Sequence, residues 1–179
     1  MDDIKISVVI PVYNARPYIQ EAVESALVQE ETHEVVLVED GSNDGGLAVC
    51  KELSQQYRKV KLFQHPDGKN HGAAASRNLG IKNSSCDYLA FLDADDYYLP
   101  NRFSKTKDIF HDYEDTDGVY EAIGTSYQNL ELKEQFLEIF SEELTTIKEI
   151  LPPDQLFEKI LLGGVGHFSF DGLTIRKDV

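Results

Sequence analysis

Apolar residues along this chain fall into two rhythms: short continuous runs, and stretches in which they recur every three or four positions. A continuous run bounded by polar residues reads as a strand buried on both sheet faces. Ile4 to Ile10 is the first, β-branched and stopped by Pro11; Val35 to Val38, Val60 to Gln64 and Tyr88 to Leu92 are the next three. Helical faces lie between them. Ile19, Ala22, Val23, Ala26 and Leu27 stand at i, i+3, i+4, i+7 and i+8, behind a start at Asn14 and Pro17, where a missing N–H costs nothing. Leu47, Cys50, Leu53 and Tyr57 mark a second helix and Ala73 to Asn83 a third. A fourth is expected from Asn101 to about Tyr113, with Phe103, Thr106, Phe110 and Tyr113 on one side. The order β-α-β-α-β-α-β-α predicts an α/β fold: a mainly parallel central sheet flanked by helices in three α/β/α layers.

After Asp117 the rhythm breaks. Gly118 to Ile123 suits a strand, Glu131 to Phe140 suits either element, and Pro153 to Leu162 is a short helix. Gly163, Gly164 and Gly166 open a tightly turned or flexible stretch, after which Phe168, Phe170, Leu173 and Ile175 alternate with polar residues or Gly, as in one or two strands. The expected organisation is a single domain, with residues 1–116 as one half and 117–179 as the start of a second, incomplete half.

Charge narrows the function classes. Of 179 residues, 32 are acidic and 17 basic, a net charge of −15. Such a field repels nucleic acid and anionic membranes, and neither is an expected partner. It also repels an anionic small substrate unless a metal or a local basic group offsets it. Two cysteines, Cys50 and Cys86, form no metal-binding spacing and no disulfide framework, which suits a reducing compartment. The acidic start MDDIKISVVIP does not resemble a signal peptide, and no apolar window is long enough to span a membrane. The five histidines, at positions 33, 65, 71, 111 and 167, are scattered and read as structural or solvent-exposed.

The chemistry gathers at strand ends. The fourth run, DYLAFLDADD, passes directly into Asp93, Asp95 and Asp96. Carboxyl ends of parallel strands face the ligand crevice, and like charges so close need a cation, most simply a divalent metal. A solvated loop or a helix cap is the bland alternative. A calcium loop would need Gly and Glu where Tyr98 and Ser104 stand, and a phospho-receiver would need acids where Pro11 to Asn14 stand. The second strand ends in EDGSNDG. Asp44 there reads as a cap, whereas Asp40, at a strand end, can accept a hydrogen bond from a nucleobase. Arg77, early in the third helix, can pair with a phosphate or with one of the carboxylates, or lie on the surface. GxGxxG, the P-loop and GxSxG are absent.

Taken together, SVVIPVYN, VEDGSNDG and HGAAASRNLGIKNSSCDYLAFLDADD resemble glycosyltransferase family 2 over about residues 4 to 103. The resemblance implies the GT-A fold and a nucleotide-diphosphate sugar, UDP-sugar favoured, bound at the carboxyl ends of the first four strands. It places Pro11, Val12 and Tyr13 around the base, Asp40 in a hydrogen bond with it, and Arg77 near the base or pyrophosphate. Asp93 and Asp95 match the family's DXD around Ala94. Asp93 is expected at the ribose, Asp95 on Mn²⁺ or Mg²⁺, and Asp96 at the sugar or behind the metal ligand. Glu39 stands where the family often has Asp, and Ser76 where it usually has Ala.

The implied reaction is metal-dependent, inverting transfer to a saccharide or lipid-linked acceptor hydroxyl, in polysaccharide, cell-wall or glycolipid synthesis. The expected location is the cytoplasm, with peripheral attachment at the inner membrane face as an option. In the family the catalytic base follows strands like Gly166 to Arg176, so it is expected beyond Val179. Asp171, in a turn, is read as structural. A nucleotide-binding module without transferase activity is the alternative, and the fragment is expected to self-associate. A nucleotidyltransferase would need a glycine-rich, Arg-containing loop after strand one, and Pro11 to Arg16 holds no glycine.

Overall fold

A computed structural model describes residues 4–127, 129, 131–135, 144–145, 152–162 and 169–179. The chain divides into two compact units, one of Met1–Val119 with Thr174–Val179 and one of Tyr120–Leu173.

The first unit is built on β1 (Ile6–Val12), β2 (Thr32–Glu39), β3 (Val60–Gln64) and β4 (Tyr88–Phe91), joined through α1 (Ile19–Leu27), α2 (Gly46–Gln56) and α3 (Ala73–Asn83), and followed by α4 (Ser104–Asp112). These four strands are parallel, with Val8 opposite Val35, Val36 opposite Lys61 and Val9 opposite Phe91. Two further strands, β5 (Gly118–Tyr120) and β8 (Leu173–Arg176), complete the order β3-β2-β1-β4-β8-β5. β8 runs antiparallel to β4, with Ala90 opposite Thr174. The α/β sheet is therefore mainly parallel, as the alternation of elements predicts.

Side-chain alternation along β1 decides the layers. Ile6, Val8, Ile10 and Val12 join Ile19, Ala22, Val23 and Ala26 of α1 and Cys50 and Leu53 of α2 in one core. Val9 points the other way, towards α3, where a Cβ on Gly80 would lie 2.3 Å from Val9 Cγ1 and 3.4 Å from Val38 Cγ2. Only glycine allows α3 to lie this close to the sheet, and that closeness fixes the height of the helix start beside the strand ends.

Several boundaries depart from the sequence reading. Pro11 does not stop β1; it sits within it, opposite Val38. Val9 faces β4, its carbonyl accepting from the Leu92 N–H, and Pro11 faces the same side beyond Phe91, the last partner on β4. No ladder bond is lost there, so proline is tolerated as on an edge. β2 begins at Thr32, ahead of Val35, because Glu34 is accommodated inside. It accepts from Ser7 Oγ and the Ser85 N–H, each at 2.6 Å, and pairs with Lys61 Nζ at 2.5 Å. Burial alone would raise its pKa, but these partners hold it down at about 2. Tyr113 lies beyond α4 and is 65% exposed, whereas Phe103, Thr106 and Phe110 are buried as expected. Gly118 to Ile123 is not one strand: β5 ends at Tyr120, and β6 (Ile123–Gly124) belongs to a second sheet.

In the second unit β6 pairs antiparallel with β7 (Leu144–Thr145). Residues 131–135 are helical, and α5 spans Pro153–Leu162. Phe170–Gly172 is a 3₁₀ turn rather than strand. Asp171 lies in it, buried, and accepts from Ser169 Oγ at 3.2 Å. The rest of the ambiguous Glu131 to Phe140 stretch, and Gly163, Gly164, Gly166, His167 and Phe168, lie outside the described residues.

Candidate active site

At the carboxyl ends of β1, β2 and β4, beside the start of α3, the first unit opens into a cavity of about 420 Å³. Its lining includes Pro11, Val12, Tyr13, Asp40, Arg77, Asp93, Ala94 and Asp95, every residue assigned from the sequence to the donor or its metal. These come from four separate segments, and the doubly wound sheet brings them to one edge. Asp96 is not among the lining residues; it is exposed, and its N–H closes a turn on the Asp93 carbonyl at 3.1 Å. Two larger hollows, of about 580 and 630 Å³, lie along the outer side of α1 and are lined by residues such as Glu21, Glu24, Val28 and Tyr57. They lie away from the strand ends, and the chemistry of the lining, not volume, singles out the smaller cavity.

Asp40 follows β2 and is only 2% exposed. Its Oδ1 accepts from the His71 N–H at 2.7 Å and its Oδ2 from the Gly72 N–H at 2.8 Å. His65 Nε2 lies 3.5 Å from Oδ1. A carboxylate has about four acceptor positions, so Oδ2, with one amide partner, keeps capacity for a ligand N–H. The neighbouring Gly41 has φ +74°, and a Cβ there would stand 2.8 Å from the Asn70 backbone nitrogen. Glycine at 41 thus lets the 65–72 loop fold down onto Asp40 and bring Asn70 and Gly72 into the wall.

Glu39 is buried and braces this edge from below, accepting from the Ser42 N–H at 2.5 Å and from Gln64 Nε2 at 2.7 Å. The loops after β1 and β2 interlock. Asn14, with φ 52°, donates its N–H to Ser42 Oγ at 3.1 Å, and its Oδ1 accepts from the Asn43 N–H at 3.0 Å. Asp44 does more than cap α2. Its carboxylate accepts from the Arg16 N–H at 2.9 Å as well as the Gly46 N–H at 2.8 Å, and these two amides lower its pKa. Neither cysteine is placed for chemistry: both are buried, and burial, with Glu39 and Asp44 nearby, pushes the Cys50 thiol up to about 12.

The far wall carries the charge. Arg77 Nη2 donates to Asp93 Oδ1, so the arginine meets a carboxylate, one of the two partners open to it in the sequence reading. A carboxylate oxygen of Asp93 lies within 4.8 Å of one of Asp96, while Asp95 is exposed at the rim. Oxygen-only donors of this kind suit a hard divalent ion. Asn14, Tyr18 and Asn70 also line the cavity without having been singled out. The Asn14 side chain and the exposed ring of Tyr18 carry no pattern of their own, and only the folded loop brings Asn70 in.

The family model described as Glycosyl transferase family 2 matches residues 7–178. An uncharacterized glycosyltransferase of Rickettsia felis is 36% identical over 139 residues, covering 77% of this chain and 22% of its own length. The chain therefore spans about a fifth of the first curated relatives it matches. Among solved structures, TarS from S. aureus superposes with a TM-score of 0.67 at 22% identity, over 97% of this chain and 47% of that one. Its complex with UDP-GlcNAc gives 0.64 at 24% identity over 97% and 46%. A mannosyltransferase from Pyrobaculum calidifontis, in complex with GDP-Man and Mn²⁺, gives 0.54 at 21% identity over 69% and 36%.

Proposed function

Because this chain belongs to glycosyltransferase family 2 and has the GT-A fold, we propose that the cavity binds a nucleotide-diphosphate sugar, a UDP-sugar by preference, for transfer to an acceptor hydroxyl. The observation that carries this is the meeting of Asp40, Arg77, Asp93 and Asp95 in one cavity from three segments of the chain. Asp40, held by two amides, accepts a base N–H; Tyr13 and Val12 cover the base; Asp93 meets the ribose; Arg77 lies against the phosphates. That TarS is known in complex with UDP-GlcNAc supports a uridine nucleotide as the ligand.

Asp95, with Asp93 beside it, would hold Mn²⁺ or Mg²⁺, and such an ion supplies Lewis-acid neutralisation of the charge that grows on a departing diphosphate. The Mn²⁺ in the Pyrobaculum complex supports this assignment. Inversion at the anomeric carbon and a saccharide or lipid-linked acceptor belong to the same proposal and rest on family membership, as does a role in polysaccharide or cell-wall synthesis. Among the described residues no helix is long and apolar enough to cross a membrane.

Calorimetry tests the reading. Wild-type protein is expected to bind UDP with Mn²⁺ at least about tenfold more tightly than Asp95→Ala, the loss of one charged ligand. Equal binding by the two proteins removes the site assignment.

A further inference from the structure

His65 lies at the end of β3 and has no part in the donor contacts set out above. Its Nε2 is 3.1 Å from Ser76 Oγ and 3.5 Å from Asp40 Oδ1. Its ring stacks on that of His71, centroids 4.2 Å apart and planes 28° apart. His71 in turn donates its backbone N–H to Asp40 and places its Nε2 2.9 Å from Asp67 Oδ1. Ser76 is fully buried in the first turn of α3, one residue before Arg77, and its N–H donates to the Gly72 carbonyl.

We infer that His65 is a positioning residue for Asp40: held by Ser76 and by the His71 ring, it fixes the carboxylate that receives the donor base, and so sets the affinity for the nucleotide. This rests on the proposed contact between Asp40 and the base.

A carboxylate only accepts, so His65 supports Asp40 in the tautomer that carries its proton on Nε2. That N–H donates to the Ser76 hydroxyl, which anchors the imidazole to α3, while the Asp40 carboxylate lies 3.5 Å from the same nitrogen. The His71 ring closes the opposite face and fixes the plane in which Nε2 points. His71 also belongs to the backbone that binds Asp40, so ring and amide order the same loop. A small apolar residue at 76 would leave the imidazole without its anchor. Ser76 and His65 therefore form a pair. The pair lies 11 residues apart, and only the turn from β3 into α3 brings it together.

The test measures UDP affinity with Mn²⁺ for wild type, His65→Leu, His65→Gln, Ser76→Ala and Asp40→Ala, with inorganic pyrophosphate plus Mn²⁺ as a probe lacking the base. His65→Leu is expected to weaken UDP by about tenfold and Ser76→Ala by about threefold, the range of one ordinary hydrogen bond. Pyrophosphate binding should not change, and His65→Gln, whose amide can still donate, should recover most of the affinity. Unchanged UDP binding by both His65→Leu and Ser76→Ala overturns the inference. So does equal weakening of UDP and pyrophosphate, or a Gln variant as poor as Leu. Should Leu fail to fold, Gln and Ser76→Ala decide the matter alone. If Asp40→Ala binds UDP as wild type does, the base contact itself is wrong; if only the His65 and Ser76 variants are silent, the inference alone falls.

Discussion

Arg77 donates from Nη2 to Oδ1 of Asp93, so the cation lining the cavity is already committed to one of the three acids that line it with Asp40 and Asp95. Such a pocket is net negative before any ligand arrives, inside a chain of net charge −15. A nucleotide diphosphate is itself anionic, and two consequences follow.

Arg77→Ala should weaken UDP with Mn²⁺ by about 10–100-fold and lower stability by about 1–3 kcal/mol, because a partly buried carboxylate loses its partner. Arg77→Lys should recover little, since a point charge does not reproduce the guanidinium fork. Calorimetry and thermal denaturation of the same samples read both effects.

Asp93→Asn should separate metal-dependent from metal-free binding. Neutralising Asp93 frees Arg77 for phosphate, so in EDTA the variant should bind UDP a few-fold more tightly than wild type, the scale of one weakened charge pair. With Mn²⁺ the order should reverse, because a carboxylate contributing to the metal site and the ribose contact has been lost. Parallel titrations with and without the ion check the crossing.

Gly80→Ala should destabilise the first unit by about 1–3 kcal/mol or more, the cost of forcing a methyl group into a filled site. The added Cβ would meet Val9 Cγ1 at 2.3 Å, and α3 would have to move away from the sheet. Because the start of α3 carries Ser76 and Arg77, UDP affinity should fall with stability. Urea denaturation followed by calorimetry checks both.

Glu34 lies at the opposite end of β2 from Asp40, and its effect should be confined to stability. Its folded pKa of about 2 is below the ordinary 4.5, so its contribution is complete above about pH 4.5 and is lost as pH falls towards 2. The stability difference between wild type and Glu34→Gln should therefore shrink on acidification from pH 6 to pH 3, with UDP binding at neutral pH unaffected. Denaturation midpoints at a series of pH values read the difference.

Most of the residues that line the cavity were legible in the sequence. Continuous apolar runs located β3 and β4, periodicity located α1 and α2, the stretch Ala73 to Asn83 is α3 as read, and the acids that follow such runs, Asp40, Asp93 and Asp95, line the cavity. The errors arose where one residue's local preference was overruled by its neighbours. Pro11 reads as a stop, yet it sits where β4 has already ended and no N–H is needed. Glu34 reads as outside a strand, yet Ser7, Ser85 and Lys61 satisfy it within one. Tyr113 continues a helical period that the chain abandons at Asp112. His65 and His71 looked scattered because the contact of each with Asp40 spans 25 or more residues, and no local pattern encodes a contact of that kind.

The most direct test of the central claim is a crystal structure of this protein with UDP and Mn²⁺. It should show the base against Asp40 and Tyr13, the diphosphate beside Arg77, and the ion on Asp95. Nucleotide density elsewhere, for example in the hollows along the outer side of α1, or a diphosphate bound with no ion near Asp95, would contradict it.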